Sequence, residues 1–224
     1  KIDDLINRSK ELGMEALAIT DHGALYGAVE FFQKAKRAQI KPIIGCELYV
    51  ANGNMADKNP ELGAKRFHLT LLVKNKTGYK NLVQLVTKAH LEGFYYKPRV
   101  DKDLLRQYAG GLICLSGCLH GEIPRLLFSN QAEKAKAVAR EYQNIFGKDN
   151  FFIEIQPHFE KNLSAQAGDK KNIRSAIIGL SKKLEIPLIA TNDIHYISKE
   201  DEDCHDALLA IGTGNKVSDP NRLS

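Results

Sequence analysis

Short apolar runs alternate with amphipathic stretches along this chain of 224 residues. The apolar runs are bounded by Gly, Pro, Asn or Asp, a pattern that predicts buried β-strands. The predicted strands cover residues 16–20, 43–50, 67–73, 112–116, 151–155 and 187–191. Between them, apolar residues recur three and four positions apart, which predicts helices. The predicted helices cover residues 3–12, 27–38, 79–91, 132–146, 170–184 and 201–211.

This alternation of strand and helix predicts the α/β class. Consecutive strands joined by helices form a parallel sheet with right-handed crossovers. About six such strands fit either an open, doubly wound sheet or most of a barrel. No glycine-rich phosphate-binding fingerprint follows the first predicted strand, which argues against a dinucleotide-binding fold.

The stretch 186–195, IPLIATNDIH, combines a short apolar run with two candidate metal ligands, Asp193 and His195. Its apolar part is too short for a helix and predicts a buried strand that delivers Asp193 and His195 from its C-terminal end. In βα architectures, ligands bind at that end of the strands. Residues two positions apart in an extended segment point the same way, so the pair offers a carboxylate and an imidazole together. A helix cap followed by a surface histidine is the alternative interpretation.

Further candidate metal ligands follow or lie on the other predicted strands. They are His22 after the first strand, Glu47 on the second, His68 near the start of the third, Cys118 after the fourth and His158 after the fifth. The C-terminal ends of parallel strands share one edge of a sheet, so these side chains are expected to converge. Imidazole, carboxylate and thiolate together suit zinc, and manganese or iron are compatible with part of the set. Taken singly, each residue also fits a structural role, such as a cap, an exposed strand position or a small buried thiol.

Composition and charge narrow the classes of protein that fit. Hydrophobic residues make up 43% of the chain, enough for a core, yet no apolar run is long enough to span a membrane. Four cysteines in a chain of this length do not form a disulfide framework, and they favour a reducing, cytoplasmic location. The net charge of +5 is compatible with an anionic partner such as nucleic acid but does not require one.

Several long motifs resemble the polymerase and histidinol phosphatase (PHP) domain, in the version found at the start of bacterial DNA polymerase III alpha subunits. They are LAITDHGALYGAVEFFQKAKRAQIKPIIGCELYV, FHLTLLVKNKTGYKNLVQLV, LEGFYYKPRVDKDLL, LSGCLHGEIPRLL and IPLIATNDIHYISKEDEDCHDALLAIGTG. The resemblance implies a distorted (β/α)7 TIM-like barrel of the PHP type. It also implies metal-dependent phosphoester hydrolysis at the C-terminal ends of the strands, with two to three ions of zinc, manganese or iron.

Site residues carry over from the resemblance position by position. The implied metal ligands are His22, Glu47, His68, Cys118, Asp193 and His195. Asp21, His22 and Asp193 are the implied catalytic residues, with Asp21 orienting a ligand without touching the metal. Nothing in the resemblance extends to His158, which stays a candidate from its position alone.

The family begins with a strand carrying an H-x-H pair, and this chain starts at Lys1, just after the corresponding place. We therefore expect six strands instead of seven, and two or three ligands fewer than the family has. The expected organisation is a PHP domain over residues 1–212 and a linker toward the polymerase body over residues 213–224.

The function implied by the resemblance is DNA replication, with a 3′–5′ exonuclease or phosphoesterase activity in the intact domain. The expected partners are DNA, the remainder of the alpha subunit and other replisome subunits, with no membrane. Lys97 and Arg99, in the segment YYKPR, are candidates to hold the DNA backbone, beside Tyr95 or Tyr96 as a stacking surface. Two alternatives stay open: a catalytically silent module that stabilises the polymerase and docks partners, and a free phosphatase acting on a small phosphomonoester.

Overall fold

The computed structural model describes residues 1–59, 65–157 and 173–220. Within these ranges strands and helices alternate, which confirms the α/β class. The strands are β1 (Ala16–Ile19), β2 (Lys41–Ala51), β3 (Arg66–Val73), β4 (Arg99–Val100), β5 (Leu112–Leu115), β6 (Phe151–Ile155) and β7 (Leu188–Ala190). The helices are α1 (Ile2–Glu11), α2 (Ala28–Arg37), α3 (Lys76–Leu91), α4 (Lys102–Tyr108), α5 (Glu122–Phe128), α6 (Ala132–Phe146), α7 (Ile173–Leu184) and α8 (Glu202–Thr213).

The predicted bounds of β6 and α6 are confirmed residue for residue, and the other predicted elements begin or end within a few residues of the observed ones. Residues 170–172, the predicted start of α7, lie outside the described residues. The sequence pattern missed β4, α4 and α5, because two strand residues or seven helical residues are too few for a periodicity to show.

Six strands form a continuous path in the order β1-β2-β3-β5-β6-β7, and β4 pairs with β2 beside this path. The sheet curls into a half-barrel with the helices packed around it. The prediction that all the strands run parallel is wrong for β3, which is antiparallel to both β2 and β5. The described part of the connection between β2 and β3 holds no helix to carry the chain back across the sheet, so β3 returns along β2 in the opposite direction.

The strand predicted over residues 187–191 is confirmed as β7, but the prediction that it is buried is wrong. Leu188 in β7 is 38% exposed, and Ala190 is exposed as well. Within the described residues β7 pairs only with β6, at the end of the sheet path, so one edge and part of one face stay uncovered. A short apolar run signals a strand, but it does not show how many sides of that strand are covered.

Two groups of buried side chains hold the helices against the sheet. The larger lies between β2, β3, β5 and β6 on one side and α3, α4, α6 and α7 on the other. The smaller joins α1 and α2 to β2, with Phe31 and Ala35 fully buried at its centre. None of the helices in the described ranges is both long enough and apolar enough to cross a membrane.

Gly78 in α3 packs closely against the turn before β5. A Cβ atom at this position would lie 1.8 Å from the carbonyl oxygen of Gly111, just before β5. We therefore expect Gly78→Ala to lower the free energy of unfolding by about 1–3 kcal/mol, because the backbone must move to relieve the overlap. Urea denaturation measures the change.

The matched control for this prediction is Gly179→Ala in α7, where nothing lies within 4 Å of the added Cβ. There the higher helix propensity of alanine should raise the free energy of unfolding by up to about 1 kcal/mol. Equal effects from the two substitutions would show that the contact between α3 and the Gly111 turn does not constrain the fold.

Candidate metal centre

The carboxylate of Glu47 lies at the centre of a group of three candidate metal ligands. Its Oε2 is 3.0 Å from Nδ1 of His22, and its Oε1 is 2.7 Å from Nδ1 of His68. One potential ligand atom from each residue lies within 4.8 Å of the other two. Only 5% of Glu47 is exposed, so protein groups take the place of water around this carboxylate. Two imidazoles and a carboxylate are donors that zinc and related divalent metals accept.

Strand pairing explains how these residues meet. β2 continues beyond the end of β1, and His22 forms a parallel backbone bridge with Glu47. On the other side of β2, Thr70 of β3 lies opposite Glu47 in the register, and His68, two residues away, shares its face of the sheet. Because β3 is antiparallel, its N-terminal half reaches the edge where the parallel strands end. The antiparallel direction of β3, which the sequence did not predict, therefore brings His68 into the site.

Cys118 joins this group from the turn after β5. Its Sγ is 3.6 Å from Oε1 of Glu47 and 3.5 Å from Nδ1 of His68. The preceding residue, Gly117, has φ +83°, and a Cβ there would lie 2.5 Å from the carbonyl oxygen of His68. Only glycine fits this turn without strain or overlap, so the sequence Gly117-Cys118 places the thiol against the other ligands.

Electrostatics tie the ionisation of these groups together. Burial acts to raise the pKa of Glu47, but hydrogen bonds from His22 and His68 and their charges leave that pKa well below its ordinary value. The hydrogen bond to Glu47 raises the pKa of His22 in spite of partial burial. Burial and the charge of Glu47 raise the pKa of the Cys118 thiol. A cation among these groups would favour the thiolate, since it offsets both effects.

Asp193 and His195 lie beside the three-residue group. The ring of His195 is 5.9 Å from that of His22 between centroids, and the charge of Asp193 contributes to the raised pKa of His22. Nδ1 of His195 donates to the backbone carbonyl of Asp193 at 2.8 Å, so the neutral ring carries its lone pair on Nε2. Asp193 itself has φ +50°, a left-handed conformation uncommon for a residue with a side chain.

The side chain of Asp21 points toward the start of α2. Its Oδ2 accepts a hydrogen bond of 3.4 Å from the backbone N–H of Gly27, whereas its carbonyl oxygen accepts one of 3.1 Å from the N–H of Glu47. Asp21 thus orients Glu47 through the backbone, and its catalytic role stays a prediction. His158 lies outside the described residues.

The prediction that Arg99 holds the DNA backbone is wrong, because its side chain is fully buried. Its guanidinium donates to the carbonyl oxygens of Gly93 at 3.1 Å, Met55 at 2.7 Å and Asp57 at 2.9 Å. These bonds fix the loops beside β4, and the cation cannot reach a phosphate outside the protein. Lys97, two residues earlier, is exposed and stays a candidate.

Two cations flank the ring of Tyr49, next to the metal-binding group. Nζ of Lys97 and Cζ of Arg66 each lie 5.8 Å from the ring centroid of Tyr49, and that ring stacks against His22 with centroids 6.2 Å apart. Arg66 could not be predicted from the sequence, because its place follows from the antiparallel pairing of β3.

A third cation lies on the side of His120, a further histidine at the site. Arg125 is 2.9 Å from Nδ1 of His120, whose ring lies 5.2 Å from that of His68. We refer to Arg66, Lys97 and Arg125 together as the cationic rim. Arg125, like Arg66, was missed from the sequence, where nothing sets it apart from the other arginines.

Comparison with known sequences identifies the family of this chain. The profile of the PHP domain matches residues 1–158. This chain belongs to the PHP domain family. It is 48% identical over 220 residues to DNA polymerase III subunit alpha of Treponema pallidum (strain Nichols), a match that covers 98% of this chain and 18% of the relative. The corresponding protein of Borreliella burgdorferi is 45% identical over 224 residues, which are 100% of this chain and 19% of that protein. This PHP domain thus spans about a fifth of the length of these curated relatives.

Comparison with solved structures supports the fold alone. A structure of an amidohydrolase from Chromobacterium violaceum, with bound sulfate and no metal, superposes with a TM-score of 0.50 at 12% sequence identity. The match covers 87% of this chain and 82% of that structure.

The pKa shifts around Glu47 predict how pH affects the metal-free protein. The lowered pKa of Glu47 contributes stability that is present above the ordinary carboxyl pKa and is lost as the pH falls through the lowered value. The raised pKa of His22 contributes stability that is present below the ordinary histidine pKa and is lost as the pH rises through the raised value. Glu47→Gln should therefore destabilise the chelator-treated protein most between about pH 4.3 and 6.5, the ordinary values of the two groups.

Urea denaturation across that pH range, with a chelator present, measures this difference. The control is Glu15→Gln, which removes an exposed carboxylate before β1 and should show no such maximum. A Glu47→Gln effect that does not vary with pH would contradict the ionic coupling of Glu47 to His22.

Proposed function

We propose that this PHP domain hydrolyses phosphodiester bonds at the 3′ end of DNA with the help of divalent metal ions, as part of a bacterial replicative polymerase. The observation that carries the proposal is the buried carboxylate of Glu47 between His22 and His68. Membership of the PHP family and the similarity to DNA polymerase III alpha subunits support the assignment of DNA as substrate.

The proposal also covers the partners, the location and the bounds of the domain. The partners are DNA, the remainder of the alpha subunit and other replisome subunits, and the setting is the cytoplasm. Residues 1–212 form the PHP domain, and residues 213–224 lead toward the polymerase body.

The donor atoms fit a divalent metal. The imidazoles of His22 and His68 already contact the carboxylate of Glu47, and the buried Cys118 thiol lies 3.6 Å from it. These donors therefore need little rearrangement to bind one ion. Imidazole and thiolate favour zinc, and the carboxylates make manganese or iron acceptable. Two to three ions would be held by His22, Glu47, His68, Cys118, Asp193 and His195.

Divalent ions at such a site polarise a phosphate oxygen and lower the pKa of a nearby water. Within the protein, Glu47 holds both imidazole rings in place, which fixes their orientation before a substrate arrives. Asp193 is half-buried beside His22, where its carboxylate can accept a proton from the attacking water. One oxygen of that carboxylate, Oδ1, lies 3.8 Å from Nδ1 of His195.

The cationic rim matches a polyanionic substrate. Its three side chains approach the ligand group through Tyr49 and His120, so the phosphates on either side of a bond held at Glu47 would meet positive charge. Beside Lys97, the ring of Tyr96 is 71% exposed and offers a surface on which a base can stack. A small phosphomonoester would have no use for these contacts.

A second function, a silent module that docks other parts of the polymerase, is favoured by one observation. In α8, Leu208 is 65% and Ile211 78% exposed, and these apolar side chains form part of a surface suited to protein contact. This role needs no metal, so metal content separates the two proposals.

We expect this PHP domain to retain divalent metal through purification, and Glu47→Gln and the double variant Asp193→Ala/His195→Ala to hold much less. The reason is that each change removes a carboxylate or imidazole donor from the group. Elemental analysis gives the metal content, and release of nucleotides from a 3′-labelled single-stranded oligonucleotide gives the activity.

The control is Glu122→Gln, which alters a carboxylate that contacts Tyr142 and Lys102. Its metal content should equal that of the unaltered chain. Hydrolysis of a generic phosphomonoester without attack on the oligonucleotide would favour the free phosphatase. Absence of metal from every sample would leave the docking module as the better proposal.

Lys97→Ala should weaken binding of single-stranded DNA and lower the dependence of log Kd on log salt by about 0.7, the value for one phosphate contact on a single strand. Fluorescence anisotropy over a salt series measures both quantities. Lys80→Ala, on the exposed side of α3, is the matched control and should change neither. Equal effects of the two variants would remove Lys97 from the DNA-binding surface.

A further inference from the structure

Glu154, the fourth residue of β6, carries a buried carboxylate that was not predicted to take part in the site. Only 3% of Glu154 is exposed, and both carboxylate oxygens accept hydrogen bonds. Oε2 accepts from the backbone N–H of Gly117 at 3.1 Å, and Oε1 accepts from the hydroxyl of Thr191 at 2.5 Å and from Nε2 of Gln156 at 3.1 Å. The signal in the sequence was a charge inside the apolar run FFIEI.

These partners belong to two different ligand-bearing turns. Gly117 directly precedes Cys118, in the turn after β5. Thr191 directly follows β7, two residues before Asp193. Glu154 therefore links the turn that presents the thiol to the turn that presents the Asp193 carboxylate and the His195 imidazole, across the width of β6.

A carboxylate at this position is unfavourable for packing alone. Burial raises the pKa of Glu154, and the negative charges of Glu47 and Asp193 add to that effect. Within the described ranges, no ion pair joins Glu154 to a cationic side chain, although buried carboxylates usually have such a partner. An apolar residue would fill the same space without this cost, so the specific hydrogen bonds are what the carboxylate provides.

We infer that Glu154 is a positioning residue that fixes the Cys118 turn relative to the Asp193 turn and thereby sets the affinity of the site for metal. The effect of Glu154 on metal affinity rests on the proposed metal-binding function. The link between the turns is a property of the metal-free protein as well, and so it can be measured separately.

The metal-free measurement is the rate at which Cys118 reacts with a thiol reagent in the full 224-residue chain. Cys204→Ser provides the background, because Cys204 is exposed and Cys118 is buried. Glu154→Gln and Thr191→Val should each increase labelling of the peptide containing Cys118 about tenfold, as expected for loss of a buried hydrogen bond that closes the turn. Thr191→Val removes the link from its other end and carries the test if Glu154→Gln fails to fold.

The matched control is Asp101→Asn. Asp101 is also a buried carboxylate, and it accepts from the backbone N–H groups of Met55 and Leu104, but it contacts neither ligand-bearing turn. It should lower the melting temperature without accelerating the labelling of Cys118.

The metal measurement uses Co²⁺ as the probe. Glu154→Gln should weaken Co²⁺ binding by about 10- to 100-fold, as is typical for residues that orient metal ligands. It should also diminish the thiolate-to-cobalt charge-transfer band, which reports on Cys118 and which a loss of stability elsewhere does not alter. Asp101→Asn should change neither the affinity nor the band.

The outcomes separate the two proposals. Faster labelling in both Glu154 and Thr191 variants, in a chain that binds no Co²⁺, supports the link between the turns and overturns the proposed metal-dependent function. Unchanged labelling, affinity and charge-transfer band in folded variants of a chain that does bind Co²⁺ overturn the role of Glu154 and leave the function standing.

Discussion

The burial of one carboxylate between two imidazoles is the constraint on which the functional half of this fold depends. A carboxylate removed from water loses hydration that only hydrogen bonds and opposite charge can replace. For Glu47 the replacement comes from the end of β1, through His22, and from β3, through His68. The register of β1, β2 and β3 must therefore be kept for His22 and His68 to compensate the buried charge of Glu47. A metal ion bound by the same carboxylate and imidazoles would supply the positive charge that now comes from the imidazole protons.

The sequence contained the elements of the fold but not their directions. Apolar runs and helical periodicity are local, so they located β6 and α6 to the residue. The direction of β3 depends instead on what connects it to β2, and the polar connection gave no period to interpret. The family resemblance supplied the barrel type, whereas the antiparallel pairing that brings His68 to Glu47 became visible only from the backbone hydrogen bonds.

Residue types predicted the candidate site better than they predicted its surroundings. Histidine, glutamate and cysteine at strand ends predict metal ligands whatever the direction of the strands, and Cys118, one of those predicted, lies next to Glu47 and His68. A lysine or arginine in an aromatic segment does not show whether its side chain points into the protein or toward the solvent. Arg99 turns inward to three carbonyl groups, while Lys97, two residues away, stays at the surface beside Tyr49. Arg66 and Arg125 reach the site through strand pairing and a turn, neither of which leaves a pattern in the sequence.

The curl of the sheet decides whether the ligands form one site. His22 follows β1 and His195 follows β7, the first and last strands of the six-strand path, yet their rings lie 5.9 Å apart. No backbone pairing between β1 and β7 holds these ends together within the described residues. Their proximity rests on the accumulated twist of the strands between them and on side chains such as Glu154 that link neighbouring turns. An ion bound by residues from both ends would hold the curl directly, so the free energy of metal binding would also stabilise the closed form of the sheet.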